Sequence, residues 1–211
     1  MGAVVALVPR VGDFVATGDT LFKICGSCEQ VNEGMLRDAV AFGRERTLEQ
    51  DATFAFRVIV DIAIKALSKA INDPTTAVLA IDQLHRLLRM VGRRHLHDDR
   101  IADAGGRLRV VSPTPDWEDF VELSCSEIRL YGAENFQVAR RLRAMILDLL
   151  GTLPEWRRPA LRRELALLDQ GIDRSYPLAE DRAMDQLHRL LRMVGQRHLH
   201  DDLRVLGNWE P

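Results

Sequence analysis

The spacing of hydrophobic residues divides the chain into a short strand-like beginning and a long helical remainder. Apolar runs at Val4–Val8 and Leu21–Ile24 alternate with Gly-Asp pairs at positions 12–13 and 18–19, a pattern typical of strands joined by turns. A further short strand is predicted at Phe14–Val15. Because a few short strands cannot bury a core alone, we expect this small β element either to dock on another part of the protein or to be incomplete, and a first residue that lies almost inside a strand favours the second.

From about Asn32 onward the apolar positions recur with helical spacing. After a short first helix, Thr47 and Gln50 match the pattern of a capping box and predict a second helix that runs to about Ala70. This helix is apolar on most of its sides, which is typical of a helix buried at the centre of a domain. We therefore expect it to be the central helix of the fold.

A turn between two helices is predicted at residues 72–74. Asn72 suits the left-handed position that ends a helix, Asp73 suits an N-cap, and Pro74 suits a first helical turn. A short strand is predicted at 107–111, and further amphipathic helices at 116–131, 135–150, 158–170 and 180–197. The pattern predicts a mostly α protein, with the β element at 1–28, a helical bundle-like domain at 29–182 and a tail at 183–211.

One segment occurs twice: residues 82–99 and 185–202 agree at seventeen of eighteen positions and differ where Arg93 is replaced by Gln196. Two copies at this distance do not make a solenoid, which needs three or more regular repeats. One interpretation is a duplication that added a second copy to the end of the chain; the other is a functional pair. Since both copies present the same apolar face, we predict that the second copy lies loosely or occupies the slot of a neighbouring chain, giving a homo-oligomer.

Composition narrows the classes of function. Lys and Arg (29) nearly balance Asp and Glu (31), and aromatic residues make up 6% of the chain, which argues against a nucleic-acid-binding protein. Three cysteines are too few for a disulfide framework. The sequence shows neither a signal peptide nor a span of about twenty largely uncharged residues, so a soluble chain without a cofactor is expected.

Two short motifs could carry chemistry. His95, His97, Asp98 and Asp99 place two imidazoles and two carboxylates close together, as a zinc or nickel site requires. Cys25 and Cys28 have the spacing of a redox or metal-binding pair. A metal-dependent or thiol-dependent enzyme is therefore the alternative function. The competing interpretation is that the first motif ends a helix and that the cysteines lie on the surface.

Polar residues near the ends of the central helices form a second candidate site for a ligand or partner. Its members are Arg46, Gln50, Asp51, Asp61, Asn72 and Asp73. The same residues also suit helix capping and ion pairing; Asp61, for example, has Arg57 and Lys65 four residues away on either side. The preferred function is a soluble, non-catalytic domain that contacts a partner or ligand.

Two blocks of sequence carry a resemblance to a known family. Phe-Gly-Arg-Glu-Arg-Thr-Leu-Glu-Gln-Asp at 42–51 and Ile-Asn-Asp-Pro-Thr-Thr-Ala at 71–77 resemble a bacterial family of predicted membrane proteins, domain-of-unknown-function family 2254. Residues 10–15 also resemble half of a biotinyl/lipoyl-type barrel-sandwich. No lysine stands in that hairpin for attachment of such a group, so a carrier function is not expected.

The resemblance implies where the protein is located but not which reaction it performs. In that family a half with several membrane-spanning helices precedes the region matched here, so the full-length relatives resemble inner-membrane proteins and this chain corresponds to a soluble half on the cytoplasmic side. Membrane association is then expected of the full-length proteins and not through this chain. The family's usual ending is replaced by the second copy of the duplicated segment, which favours a truncated and rearranged member.

Overall fold

The computed structural model describes residues 2–26, 31–96 and 98–176 of the 211-residue chain. In chain order its elements are β1 (Val4–Leu7), β2 (Phe22–Cys25), α1 (Glu33–Asp38), α2 (Ala52–Ala66), α3 (Pro74–Gly92), β3 (Arg100–Ala102), β4 (Leu108–Val111), α4 (Trp117–Tyr131), α5 (Phe136–Thr152) and α6 (Arg158–Ser175). A short 3₁₀ helix, Glu155–Arg157, connects α5 to α6. The prediction of a mostly α fold with a small β element is confirmed.

Helices α2 to α6 form the body of the protein around one apolar core. The helices pair as α2 with α3 and α4, α5 with α3 and α6, and α4 with α6. The largest fully buried side chains are Trp117, Ile81, Leu84, Leu88, Ile128, Leu142, Met145, Ile146, Leu149, Leu161, Leu168 and Val60. These positions recur with helical spacing on each element.

The turn between α2 and α3 was predicted correctly. Asn72 has a positive φ of 46°, the left-handed conformation that Asn tolerates better than most residues. The Asp73 side chain accepts a hydrogen bond from the Thr76 backbone N–H at 3.1 Å, and Pro74 opens α3. The Asp73 N–H donates to the carbonyl of Ala66 at 2.8 Å, so the turn also completes the hydrogen bonding at the end of α2.

The predicted start, end and burial of α2 were wrong. The helix begins after Asp51 and not at Thr47, because the Asp51 carboxylate accepts hydrogen bonds from the Thr53 and Phe54 N–H groups at 2.9 and 3.3 Å. It ends at Ala66, four residues before the predicted Ala70. One of its sides packs on α3 and α4, whereas its opposite side remains exposed. It is therefore not surrounded by the described part of the protein.

The four strands form one sheet in the order β2-β1-β4-β3. β1 is antiparallel to β2 and parallel to β4, with Val5 opposite Val110. The sheet therefore crosses the predicted boundary at residue 28, because β3 and β4 come from the connection between α3 and α4. The strand expected at Phe14–Val15 does not form; Phe14 lies in a loop and is 91% exposed.

Candidate functional site

The first group of predicted site residues lies at the N-terminus of α2. Asp51 is 5% exposed. Its carboxylate accepts hydrogen bonds from Arg46 Nε at 2.8 Å and from the Thr53 hydroxyl at 2.5 Å. Burial by itself raises the pKa of Asp51, but the hydrogen bonds from Thr53 and Arg46 outweigh it and hold this pKa below its usual value. All of the carboxylate's close partners come from its own neighbourhood, which suits a structural role.

The loop between β1 and β2 meets the body of the protein at this same place. Gly12 has a φ of +91°, and a Cβ added there would overlap the Asp51 carboxylate and lie 2.8 Å from Arg46 Nε. Arg10 forms an ion pair with Asp119 near the start of α4 at 3.0 Å. Arg46 and Asp51 thus lie where the β element contacts the helices, and Gly12 supplies the close approach that this contact requires.

The second group lies along α2. Arg57 Nε donates to Asp61 at 2.8 Å, and Arg57 Nη2 donates to Glu127 of α4 at 2.9 Å. The predicted ion pair between Arg57 and Asp61 is therefore present, and it extends to α4. The hydrogen bond from Arg57 lowers the pKa of Glu127. Because Arg57 bridges two helices, its charge contributes to packing α2 against α4.

The six residues do not converge on one pocket. Asn72 and Asp73 follow the C-terminus of α2, while Arg46, Gln50 and Asp51 precede its N-terminus. A helix of this length spans about 22 Å, so the two groups are far apart. Hydrogen bonds from Thr76 lower the pKa of Asp73, as expected of a capping carboxylate. Gln50 is exposed in the turn before α2.

The alternative metal and thiol motifs lie only partly within the described residues, since His97 and Cys28 fall outside them. His95, Asp98 and Asp99 are exposed after the end of α3, and the hydrogen bond that the protonated Asp99 donates to Asp98 raises the pKa of Asp99. Cys25 is an exposed free thiol. Within residues 2–26, 31–96 and 98–176, no group of three or more potential ligands is arranged to hold a metal ion.

A polar network between α3 and α5 was not predicted as such from the sequence. Asp82 accepts from Arg141 Nε at 2.5 Å, and the His85 ring lies 3.0 Å from Arg141 Nη2 through Nδ1 and 2.7 Å from Asp148 through Nε2. Arg89 also donates to Asp148. Because a guanidinium can only donate, Nδ1 of His85 must accept and Nε2 must carry the hydrogen.

This network joins α3 to α5, and all of the hydrogen bonds described in it are between side chains of these two helices. Burial raises the pKa of Asp148, but hydrogen bonds from His85 and Arg89 outweigh it, and this pKa lies below its usual value. The spacing of Asp82, His85 and Arg89 on one side of α3 was the available signal. What the sequence did not show is that α5 would place Arg141 and Asp148 opposite them.

An apolar surface is exposed on the hairpin formed by α2 and α3. Val58 and Ile62, one turn apart on α2, are 40% and 48% exposed; Ile71 in the connection and Leu79 on α3 are 49% and 56% exposed. These four residues are called the outer surface of the hairpin below. Asp61 and Lys65 lie beside them and are exposed. Since α2 exposes Val58 and Ile62 on the side away from its core, the outer surface is a candidate for contact with another segment.

Comparisons with known proteins agree with the resemblance found in the sequence. The family described as "Predicted membrane protein (DUF2254)" matches residues 1–148. Uncharacterized proteins of Mycobacterium bovis and of two Mycobacterium tuberculosis strains are each 34% identical over 194 residues, covering 84% of this chain and 36% of the relative. No solved structure matches.

The chain therefore spans about a third of the length of these relatives. Among the helices of the described residues, none is both long and apolar enough to cross a membrane. The matched region includes both sequence blocks on which the resemblance was based, and it covers β1 to most of α5. The chain belongs to the DUF2254 family of predicted membrane proteins.

Proposed function

We propose that this chain is a non-catalytic interaction domain of a longer membrane protein, and that the outer surface of the α2–α3 hairpin is its docking face. The observation that supports this proposal is the exposure of Val58 and Ile62 on a helix whose sequence is typical of a fully buried one. A helix apolar on two opposite sides needs two partners. The described body of the protein supplies one of them.

The strength of such a contact indicates which partner suits it. Full burial of one Val, Leu or Ile side chain is worth about 1.5–3 kcal/mol, so burying the exposed halves of four of them is worth about 3–6 kcal/mol, before the entropic cost of association is subtracted. Even the upper value corresponds to a dissociation constant of only about 40 μM. A separate protein would not remain bound at cellular concentrations, whereas a segment tethered to the same polypeptide would, since tethering supplies millimolar effective concentrations.

We therefore take the partner to be another part of the same polypeptide in the longer relatives, of which this chain matches 36%. Asp61 and Lys65, exposed beside Val58 and Ile62, would form the polar rim that such contacts usually have. The roles of Asp51 and Asp73 as capping carboxylates support a non-catalytic domain, because their hydrogen-bonding capacity is used locally. On this proposal the domain faces the cytoplasm.

Hydroxyl-radical footprinting tests the docking face. The chain alone and the longer Mycobacterium tuberculosis relative in its membrane would be labelled in parallel, and oxidation compared at Val58, Ile62 and Leu79 and at the aligned apolar positions of the relative. We expect rapid labelling in the chain alone and at least severalfold slower labelling in the relative. Tyr131, which is 60% exposed on α4, provides an internal reference. Equal labelling of the hairpin in both proteins would contradict the proposal.

Self-association through the duplicated segment remains a second proposal. Residues 185–202 lie outside the described residues, but Asp185, His188 and Arg192 repeat the three α3 residues that bind Arg141 and Asp148. A second copy able to recognise the same α5 side chains supports exchange between chains. Sedimentation velocity would then show a concentration-dependent dimer that disappears when the chain is truncated after Arg182. A dimer that survives truncation would rule this out.

A further inference from the structure

We infer that a basic surface around Trp156 contacts a membrane that bears anionic lipids. Trp156 lies in the 3₁₀ helix between α5 and α6 and is 73% exposed. Arg162 and Arg163 are exposed on the outward side of α6, opposite the buried Leu161 and Leu168. These residues, together with Arg158, Arg93 and Arg94, are called the basic patch. It shares no residue with the outer surface of the α2–α3 hairpin.

The fold brings the end of α3 to the start of α6, which is why distant arginines belong to one patch. Arg157 Nη2 donates to the Arg94 carbonyl at 3.0 Å, and the Arg157 guanidinium lies 5.3 Å from the centre of the Trp117 ring. The Trp117 indole N–H donates to the Arg157 carbonyl at 2.8 Å. Arg157 therefore connects the end of α3 to the 3₁₀ helix, and this contact holds Arg93 and Arg94 near that helix.

The positive charge of the patch is only slightly neutralised. Among the described residues, Glu155 is the acid that pairs with it, through Arg158 and through Arg162 at 3.1 Å. The complete chain carries a net charge of −2. The positive charge is therefore a local property of this surface.

The combination of one exposed indole with clustered arginines fits a lipid surface better than other polyanions. Tryptophan favours the headgroup level of a bilayer, because its ring is apolar and its N–H is polar. Each basic side chain near an anionic leaflet contributes about 1 kcal/mol of attraction. A nucleic acid would call for several stacking aromatics, and the patch offers one. The inference departs from the expectation that membrane association does not occur through this chain, and the family's description as predicted membrane proteins supports a bilayer as the partner.

Binding of the full chain to vesicles tests this inference. Vesicles of phosphatidylcholine alone would be compared with vesicles of phosphatidylcholine and phosphatidylglycerol by co-sedimentation at low salt. We expect binding to the anionic vesicles only. Arg162→Gln with Arg163→Gln should lower the partition coefficient about fivefold for each arginine removed, and Trp156→Ala should lower it further. Circular dichroism would verify that these surface variants remain folded.

A matched control removes the same charge elsewhere: Arg37→Gln with Lys69→Gln, at two exposed positions outside the patch. The control should bind anionic vesicles as the unchanged chain does. If the control and the patch variant lost vesicle binding equally, the inference would be overturned, because binding would then depend on the total charge of the chain. Equal binding to both kinds of vesicle would overturn it as well. Retention on polyglutamate beads without vesicle binding would assign the patch to an acidic protein instead.

Discussion

The helical body and the β sheet of this protein are stabilised in different ways. The body buries a core of apolar side chains from α2 to α6, and Leu84, Leu88 and Ile146 have no exposed surface at all. In the sheet, every residue of β1 and β4 is only half-buried, and every residue of β3 is exposed. The body thus has the apolar burial that stabilises an independent domain, whereas the sheet has backbone hydrogen bonds and few core contacts.

Polar contacts attach the sheet to the body. Arg10 pairs with Asp119, and Gly12 packs against the Arg46–Asp51 ion pair. Partly exposed ion pairs contribute about 0–1 kcal/mol each, far less than a buried core residue. The difference between the regions therefore predicts that the sheet can loosen without unfolding of the helices. The free energy of unfolding should therefore be lowered most by substitutions in the helical body, less by substitutions where the sheet contacts the body, and least by changes in residues 183–211.

The largest effect is expected from Leu84→Ala. Removing a fully buried leucine leaves a cavity, and the free energy of unfolding should fall by about 2–5 kcal/mol. Urea denaturation followed by circular dichroism measures this loss. Leu187→Ala provides the matched control, because it removes the corresponding side chain from the second copy of the segment. If the second copy contributes to the core, the two variants would lose similar stability.

Gly12→Ala should have the next largest effect, and it should be confined to the sheet. An alanine at a φ of +91° is strained, and its Cβ would displace the Asp51 carboxylate or Arg46. We expect a cost of about 1–3 kcal/mol, seen as faster amide exchange in β1 and β2. Gly18 has a similar positive φ but open space around an added Cβ. Gly18→Ala therefore measures the cost of backbone strain alone, and the difference from Gly12→Ala measures the effect of displacing Asp51 or Arg46. Faster exchange throughout the body would contradict a local effect.

Acidification should weaken the junction and the α3–α5 network. The pKa values of Asp51 and Asp148 lie below the usual value of an aspartate, because hydrogen bonds favour their ionised forms. A lowered folded-state pKa contributes stability that is present above the unfolded pKa and is lost as the pH falls through the folded value. The urea midpoint should therefore decrease below about pH 4. Asp51→Asn should make this decrease shallower, and an unchanged pH profile would show that Asp51 does not contribute.

Truncation after Arg182 should have the smallest effect on stability. Among the residues that the structure describes, the last one buried in the core is Leu168, which precedes that position. The thermal midpoint should therefore shift by no more than a surface substitution does, within about 0.5 kcal/mol of unfolding free energy. Differential scanning fluorimetry is sufficient for this comparison. A large loss would show that the second copy of the duplicated segment packs on the body.

The sequence predicted those features that depend on local chemistry. Asn72, Asp73 and Pro74 specify their turn because each residue suits one backbone position, and the apolar spacing predicted that the segments of α4 to α6 are helical. One local feature was wrong, because Asp51 and not Thr47 begins α2. Features that depend on distant pairing were missed: Arg141 reaches Asp82 and His85 across 59 and 56 positions of sequence. β3 was missed because its residues are exposed and it forms only by pairing with β4.

The candidate site was predicted residue by residue and not as an arrangement. Arg46 and Asp51 do contact each other, but Asn72 and Asp73 lie at the other end of α2. A polar residue near a helix end serves either a cap or a ligand, and only the positions of its neighbours distinguish these roles. The outer surface of the α2–α3 hairpin was missed for a related reason. The apolar pattern of α2 predicted burial on most of its sides, whereas Val58 and Ile62 are exposed in the described part of the protein.

Native-state hydrogen exchange measures the free energy of opening of each region in one sample. It therefore compares the stability of the helical body and of the sheet in a single experiment. We expect the core amides of α3 and α5, such as those of Leu84 and Ile146, to exchange only by global unfolding. The amides of β1 and β2, such as those of Val5 and Ile24, should exchange with a clearly lower free energy of opening. Equal protection of the sheet and the body would contradict the claim that the body is self-sufficient and that the sheet depends on its contacts.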